Sequence, residues 1–342
     1  MCVVAFDHKP DYQHVHETNE ETGGFNKFTG FQPFGLENVK YFSLYGVNTD
    51  DAINSETQIA VCASELPPGM LAHAMFPGSS EDKQLETFST LLSHYAQNHT
   101  NDWTIREFMD WIRDTKNERE ISEVFYGEMP HETVLGAIKR KIPTRKPKWV
   151  DSLDKHQPTA PTGLFAGQKT ESVGYFNPFN HVAAGRVLVI RTPETKDGEY
   201  GLFVTYMLKR LFYMRQSGRV KFPIICFIDE AQDIFDGGVR QTAIQSVNEF
   251  LRKGRSKKLG FVFSVQSADQ IPTAILQNLN SRIIHRQNSP EQLRGVIPSA
   301  PKELLQTALS FGPGEALVSI FGSSAVVHAD MLPSPFKLTK TV

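Results

Sequence analysis

The sequence predicts an α/β fold built around a mostly parallel sheet. Two observations carry that prediction. Several short β-rich runs are continuously apolar rather than alternating, as strands covered on both faces are. Helical apolar spacing lies between some of them, so strand, helix and strand follow in the order of a βαβ unit. With 342 residues, 40% hydrophobic and 22% charged, the chain can bury a core without disulfides or metals.

In chain order the strand candidates are Val3 to Phe6, Val39 to Leu44, Ile59 to Ala63, Arg186 to Arg191, Pro223 to Ile228 and Gly260 to Val265. Helical spacing marks Phe203 to Met214 and the set Ile244, Val247, Phe250 and Leu251, with Gly254 at the expected helix stop. Residues 82–143 break the rhythm. Leu85, Phe88, Leu91 and Leu92 repeat at helical spacing, and Thr104 with Glu107 forms a capping-box pattern before Phe108, Trp111 and Ile112. A third amphipathic segment runs from about Glu132 to Ile142. This stretch reads as a helical insertion packed on the sheet. Pro143, Pro147, Pro158 and Pro161 mark the following segment as a linker or long loop. After Ser289-Pro290 come a short helix and two β runs, Glu315 to Phe321 and Ala325 to His328, around Gly322-Ser323-Ser324. That is a C-terminal β-hairpin. The expected division is a first core part over 1–81, the insertion over 82–143, the linker over 144–185 and a second core part over 186–342.

Composition narrows the function. Thirty-six Lys and Arg against thirty-eight Asp and Glu leave a formal charge of −2, which excludes an overall basic coat; nucleic-acid binding would need a local patch. No apolar run approaches the ~20 residues of a membrane span. Met1 to Asp7 is too short and too soon charged for a signal peptide. Cys2, Cys62 and Cys226 are widely spaced and odd in number, and read as buried thiols in a reducing compartment. A cytoplasmic protein is expected.

The most informative segment is Ile224-Ile225-Cys226-Phe227-Ile228-Asp229-Glu230-Ala231-Gln232. It puts two acids at the carboxyl end of a strand, where open α/β sheets bind ligands. In nucleotide hydrolysis one such acid can hold Mg²⁺ while the other orients or deprotonates water; the plain alternative is a solvated acidic turn. The next strand, Phe261 to Val265, ends at Gln266. A neutral amide there can bond both a terminal phosphate and the water. Between the two strands lies Arg252-Lys253-Gly254-Arg255-Ser256-Lys257-Lys258, five cations in seven residues. It reads either as a solvated helix end favoured by the helix dipole, or as an arginine reaching a neighbouring subunit's phosphates with lysines facing DNA.

Together these residues resemble the FtsK/HerA class of ring-forming ATPases, most closely the HerA-like helicases. Gly254 to Gly260 through Ser264-Val265-Gln266-Ser267 is similar to that family's finger, strand and glutamine segment. Ile271-Pro272 and Leu276 to Ile284 resemble its continuation, Gly312-Pro313-Gly314-Glu315-Ala316-Leu317-Val318 its closing glycine-glutamate turn, and Val3 to Tyr12 the strand after the phosphate-loop helix. The resemblance implies a RecA-like P-loop NTPase core and a hexameric ring that moves or unwinds double-stranded DNA using ATP and Mg²⁺. It makes Asp229 and Glu230 the Walker B pair with Asp229 on the metal, Gln266 the sensor and Arg255 a finger acting in trans. Lys253, Lys257 and Lys258 become the DNA-facing cations. A nuclease or other effector docking on the ring is also typical of the family.

The family's phosphate loop is expected about a helix's length before Val3. The internal candidate, Gly163-Leu164-Phe165-Ala166-Gly167-Gln168-Lys169-Thr170, has Gln168 where G-x-x-x-x-G-K-[ST] requires glycine, and follows a Pro-rich stretch rather than a strand. Three explanations stand open: a truncated or misassigned start, a phosphate-loop-bearing partner chain, or a degenerate, non-hydrolysing ring subunit that binds DNA or a partner and lends Arg255 to an active neighbour. The 342 residues alone are expected to bind ATP weakly and hydrolyse it near background. Apolar surface is expected around Val3 to Phe6. Three smaller features carry blander readings: His14, His16 and Glu17 as a polar loop, Asn98-His99-Thr100 as a chance glycosylation pattern, and Phe108, Trp111 and Phe125 as insertion core.

Overall fold

The structure is a computed structural model that describes residues 1–20, 30, 32–46, 56–76, 82–99, 103–151, 174–192, 198–235, 240–267, 270–289, 296–297, 300–323, 325–332, 334–336 and 338. The internal phosphate-loop candidate at 163–170 lies outside these residues.

A seven-stranded sheet forms the centre, in the order β4-β3-β2-β5-β1-β6-β7. Its strands are β1 (Cys2–Asp7), β2 (Val39–Leu44), β3 (Thr57–Ala60), β4 (Gly174–Tyr175), β5 (Val187–Arg191), β6 (Ile224–Ile228) and β7 (Leu259–Phe263), and every pairing in it is parallel. Each of the six apolar runs contains a strand, although the third leaves it after Ala60, with Ala63 opening a 3-10 turn, and the sixth after Phe263. A second sheet, antiparallel and in the order β10-β9-β8, joins β8 (Arg282–Ile284), β9 (Glu315–Ser319) and β10 (Val326–Asp330). The expected hairpin is β9 with β10, and β8 adds a strand that its sequence did not announce.

Expectation and structure part at β1. Cys2, Val4 and Phe6 are fully buried and Ala5 nearly so, so this strand exposes no apolar patch. The reason is its position: β1 is paired on both sides, by β5 and β6, and Phe6 packs edge-on against Phe203, 6.3 Å between centroids. The open apolar edge is instead at β7, which pairs with β6 alone among the described residues and leaves Val262 45% exposed.

Helix α1 (Pro68–Met75) leads into the insertion, whose helices are α2 (Asp82–Asn98), α3 (Ile105–Arg113), α4 (Glu118–Val124) and α5 (Glu132–Arg145). The capping box at α3 is formed: Glu107 N–H donates to Thr104 Oγ1 (3.2 Å) and Thr104 N–H to Glu107 Oε2 (2.7 Å). Phe108 and Trp111 are buried and Phe125, partly buried, packs against the same core, so these aromatics are core. Helix α2 of the insertion packs on α1, α1 in turn packs on α6 (Glu199–Gln216), and insertion and sheet share one hydrophobic core. Asp151 ties the parts together, accepting from Ala63 N–H (2.8 Å) and Ile105 N–H (2.6 Å). Helix α5 runs through Pro143 to Arg145.

Helix α7 (Arg240–Gly254) connects β6 to β7. Gly254 is its last residue, as expected; the chain tightens into a 3-10 turn over Arg255–Lys257 that the left-handed Lys258 ends, and a Cβ at Gly254 would lie 2.9 Å from Leu259 O and 2.9 Å from the Phe261 ring. Gly254→Ala is therefore expected to destabilise the chain by about 1–3 kcal/mol, the usual range for overpacking. The check is the urea midpoint by circular dichroism; an unchanged midpoint would mean that the helix end relaxes freely.

Candidate functional site

Because the strands are parallel, their carboxyl ends share one edge. β1 ends in Asp7, β5 in Arg191 followed by Thr192, β6 is followed by Asp229 and Glu230, and β7 by Ser264 to Gln266. The register aligns them: Asp7 lies opposite Arg191, and Ile228 lies opposite both Phe6 and Phe263. Backbone bonds extend the alignment past the strands, from Asp229 N–H to Phe6 O (3.2 Å) and from Ala231 N–H to Ser264 O (2.9 Å).

Glu230 has a left-handed backbone, φ 44°, a conformation that costs a non-glycine residue about 1–3 kcal/mol unless its surroundings hold it. Three donors hold this one. Lys9 Nζ lies 2.5 Å and Gln266 Nε2 2.9 Å from Glu230 Oε1, while Gln232 Nε2 donates to Oε2. Burial pushes the Glu230 carboxyl up, but the bonds from Lys9, Gln266 and Gln232 outweigh it and hold its pKa below the ordinary range. Asp229 goes the other way: burial raises it more than the Ser264 hydroxyl lowers it. Adjacent carboxyls pushed apart in this manner suit different tasks.

Asp7 is a third carboxyl at this edge. It is fully buried, its Oδ1 and Oδ2 accept from Asp11 N–H (3.1 Å) and Tyr12 N–H (3.3 Å), and burial pushes it up to about 8. Beside it, His8 Nδ1 is 2.8 Å from Thr192 O and its Nε2 3.2 Å from Asp233 Oδ2. Tyr200 packs against the His8 ring and donates to Asp229 O (2.6 Å).

The structure thus brings Asp229, Glu230 and Gln266 into one cluster. It keeps Arg255, Lys253, Lys257 and Lys258 out of it, since these stand where α7 turns into β7, at the strand's other end. Five residues of β7 put about 16 Å between the two places. Arg255 lies over the Phe321 ring, 4.9 Å from its centroid, beside a groove of about 500 Å³ lined by Leu251, Lys258, Phe261 and Asn278. Lys253 pairs with Glu249 within the helix (2.5 Å). Asp7, Lys9 and His8 were not singled out from sequence, although Asp7 carries the same signal as Asp229, an acid at the end of an apolar strand. His14 pairs with Glu17 (2.8 Å) and His16 bonds Tyr41 (2.6 Å), in keeping with a polar loop. All three cysteines are buried free thiols.

Residues 187–341 match the family model described as Helicase HerA-like C-terminal. That segment, a little under half of the chain, is similar to the HerA-like family. Solved structures extend the likeness to the whole fold. The plasmid coupling protein TrwB with the GTP analogue GDPNP superposes with a TM-score of 0.53 at 12% identity, covering 96% of this chain and 85% of that one. TrwB with ADPNP gives 0.51 at 11% identity, covering 96% of each. The unbound bacterial conjugative coupling protein TrwBdeltaN70 gives 0.50 at 12%, covering 99% and 87%. No curated protein sequence matches the chain. The fold is α/β and RecA-like, and the HerA-like segment carries Asp229, Glu230, Arg255 and Gln266. No helix among the described residues is long and apolar enough to cross a membrane.

Asp7 makes stability depend on pH. Its folded pKa of about 8 lies above the ordinary 3.8, so the stability it contributes is complete below the unfolded value. That contribution is lost as pH rises through the folded one. Asp7→Asn, which cannot ionise, should flatten the fall in urea midpoint between pH 3.8 and about 8, measured with EDTA present. An equal fall in the variant would mean that Asp7 is ionised in the folded chain.

Proposed function

We propose that this chain is a subunit of a ring-forming, HerA-like ATPase that couples ATP hydrolysis to translocation or unwinding of double-stranded DNA in the cytoplasm. The observation that carries the reading is the Gln266 amide 2.9 Å from Glu230 Oε1, beside Asp229 at the carboxyl edge of a parallel sheet. The match of residues 187–341 to the HerA-like C-terminal model supports it, and two of the TrwB structures hold non-hydrolysable nucleotide analogues.

Asp229 and Asp7 fit a Mg²⁺ ion, since two buried carboxyls raised by burial gain their charge most readily beside a divalent cation. When bound with ATP, such an ion neutralises charge on the phosphates. Glu230 is the base that takes a proton from water. In the state described, both its oxygens are engaged by Lys9, Gln266 and Gln232. An amide drawn from Glu230 toward a terminal phosphate would open one lone pair of Oε1 to the water while Lys9 keeps the other, and this is how Gln266 reports nucleotide state. The amides and lysine that cradle the phosphates are placed on a segment pairing with the open edge of β7, whose following loop would emerge beside Gln266. That segment belongs to the ring's phosphate-loop-bearing part, in this polypeptide or a partner chain. Lys253, Lys257 and Lys258 supply sequence-independent contacts to DNA phosphates, and an effector such as a nuclease docks on the ring.

A non-hydrolysing subunit is the second reading, favoured by Gln168 in the only internal G-x-x-x-x-G-K-[ST]-like segment. Such a subunit would still lend Arg255. The two separate in an assay with a strand–G-x-x-x-x-G-K-[ST]–helix segment supplied. Turnover there supports the first reading, and Glu230→Gln should then lower it by at least ~100-fold while nucleotide binding persists. Near-normal turnover in that variant would remove Glu230 from the mechanism.

Arg255 is too far from Glu230 within one chain, and acts in trans. A finger of this kind is worth ~10³-fold or more. Arg255→Ala chains doped into an active ring should therefore depress the rate beyond dilution. A linear decline with mutant fraction would place the residue in cis or outside the reaction.

A further inference from the structure

Away from the sheet edge, Glu315, His328 and Asp330 are the one group of three side chains among the described residues whose ligand atoms come close enough to hold a metal ion. They come together through strand register. In the β9–β10 pair, Asp330 lies opposite Glu315 and His328 opposite Leu317. Side chains alternate with period two along a strand, so all three share the face that carries Leu317. Leu317 is fully buried in the small core beneath this sheet, with Ile284, Leu305 and Phe311. The three therefore stand at the margin of an apolar layer, where surrounding hydrocarbon strengthens metal–ligand bonds.

The geometry suits a single ion. One ligand atom from each residue lies within 4.8 Å of the other two, and His328 Nε2 is 3.2 Å from Glu315 Oε1. Two groups outside the trio orient it. The Phe311 ring stacks on the His328 ring, 4.7 Å between centroids and 11° between planes. Gly312 N–H donates to Glu315 Oε2 (2.5 Å), which leaves Oε1 toward His328. Glu315 and Asp330 are like charges directly opposite on paired strands, an arrangement that is destabilising unless a cation lies between them. One imidazole bridges only part of that repulsion.

We propose that Glu315, His328 and Asp330 form a binding site for Zn²⁺. One imidazole and two carboxylates are a mixed nitrogen and oxygen set that suits Zn²⁺. Ca²⁺ would need six or more oxygens, and Mg²⁺ a near-ideal octahedron of them. The fourth position is left to water, because the His328 and Glu315 side chains are 38% and 34% exposed. The ion clasps β10 to the Phe311–Glu315 turn and so fixes the end of the small sheet. This site is independent of the proposed ATPase chemistry, and its test needs no nucleotide.

The 342-residue chain, stripped with EDTA, is titrated with Zn²⁺ by calorimetry, and separately with Co²⁺ while visible absorption is followed. One equivalent of Zn²⁺ should bind, with a Co²⁺ ligand-field band that Zn²⁺ bleaches. Asp330→Asn, at an exposed position, should weaken binding by at least ~10-fold without altering the circular dichroism. His328→Ala should abolish the Co²⁺ band. Absence of Zn²⁺ uptake by the wild-type chain would overturn the site. So would stoichiometric binding that survives both substitutions, since the ion would then sit elsewhere, for instance on His14 and Glu17.

Discussion

The site depends on the seating of β1 between β5 and β6. Val3 pairs with Val187 and Ile225, residues far along the chain, so the first strand can be placed only after the last third of the core is available. The cost of closing so long a loop grows only with the logarithm of its length. That is why the helical insertion between β3 and β4 is tolerated, and its helix α2 packs on α1. Burial of Cys2, Val4 and Phe6 offsets the closure and sets the register. The register in turn delivers Asp7, Arg191 and Asp229 to one edge. A slip by one residue would exchange every inward and outward side chain of β1 and would displace Asp7 from Asp229.

The same alignment creates an electrostatic problem. Asp7, Asp11, Asp229, Glu230 and Asp233 converge with Lys9 as the nearby cation and His8 beside Asp233. The chain resolves it unequally. Asp7 and Asp229 lie deep and are raised by burial, whereas Glu230 is drawn toward Lys9 and two amides and stays charged. The left-handed turn at Glu230 makes this division possible, because it swings the second acid away from the first and toward the loop after β1. Arg191 is excluded from the arrangement by its own buried pairing with Glu56, 3.2 Å away.

Much of this was legible in the residues. Continuous apolar runs mark the long strands because a strand covered on both faces has no polar side to show. Thr104 with Glu107 announced a cap by local hydrogen bonds, and Gly254 marked the helix end where the next strand passes too close for a side chain. What escaped was short or collective. β4 has two residues and β8 three, too few for any period. Lys9 is an ordinary lysine in sequence, and its meaning comes only from the fold carrying it across to Glu230. The exposure expected around Val3 to Phe6 failed because strand order cannot be read from a single strand, and β1 turned out to be central. Helix α5 continues through Pro143 although proline usually ends a helix; it does so within the last turn, where little further ladder remains to be broken.

The two ends of β7 now set a geometric condition on any assembly. Its carboxyl end meets the acidic cluster through Gln266, and its amino end follows the turn with Arg255, Lys257 and Lys258. About 16 Å of strand separates them, so one copy cannot bring its own arginine to its own carboxylates. A second copy can, if its Gly254–Lys258 turn faces the first copy's carboxyl edge. Such a contact joins unlike surfaces, basic on one side and acidic on the other, and each copy still offers the complementary surface to a third. Heterologous contacts of this kind close into rings when their rotation permits and run on as filaments when it does not. The polarity of the proposed ring therefore follows from the polarity of one parallel strand: because every strand of the sheet points the same way, acid and base are separated to opposite ends, and a head-to-tail order is the arrangement that brings them back together.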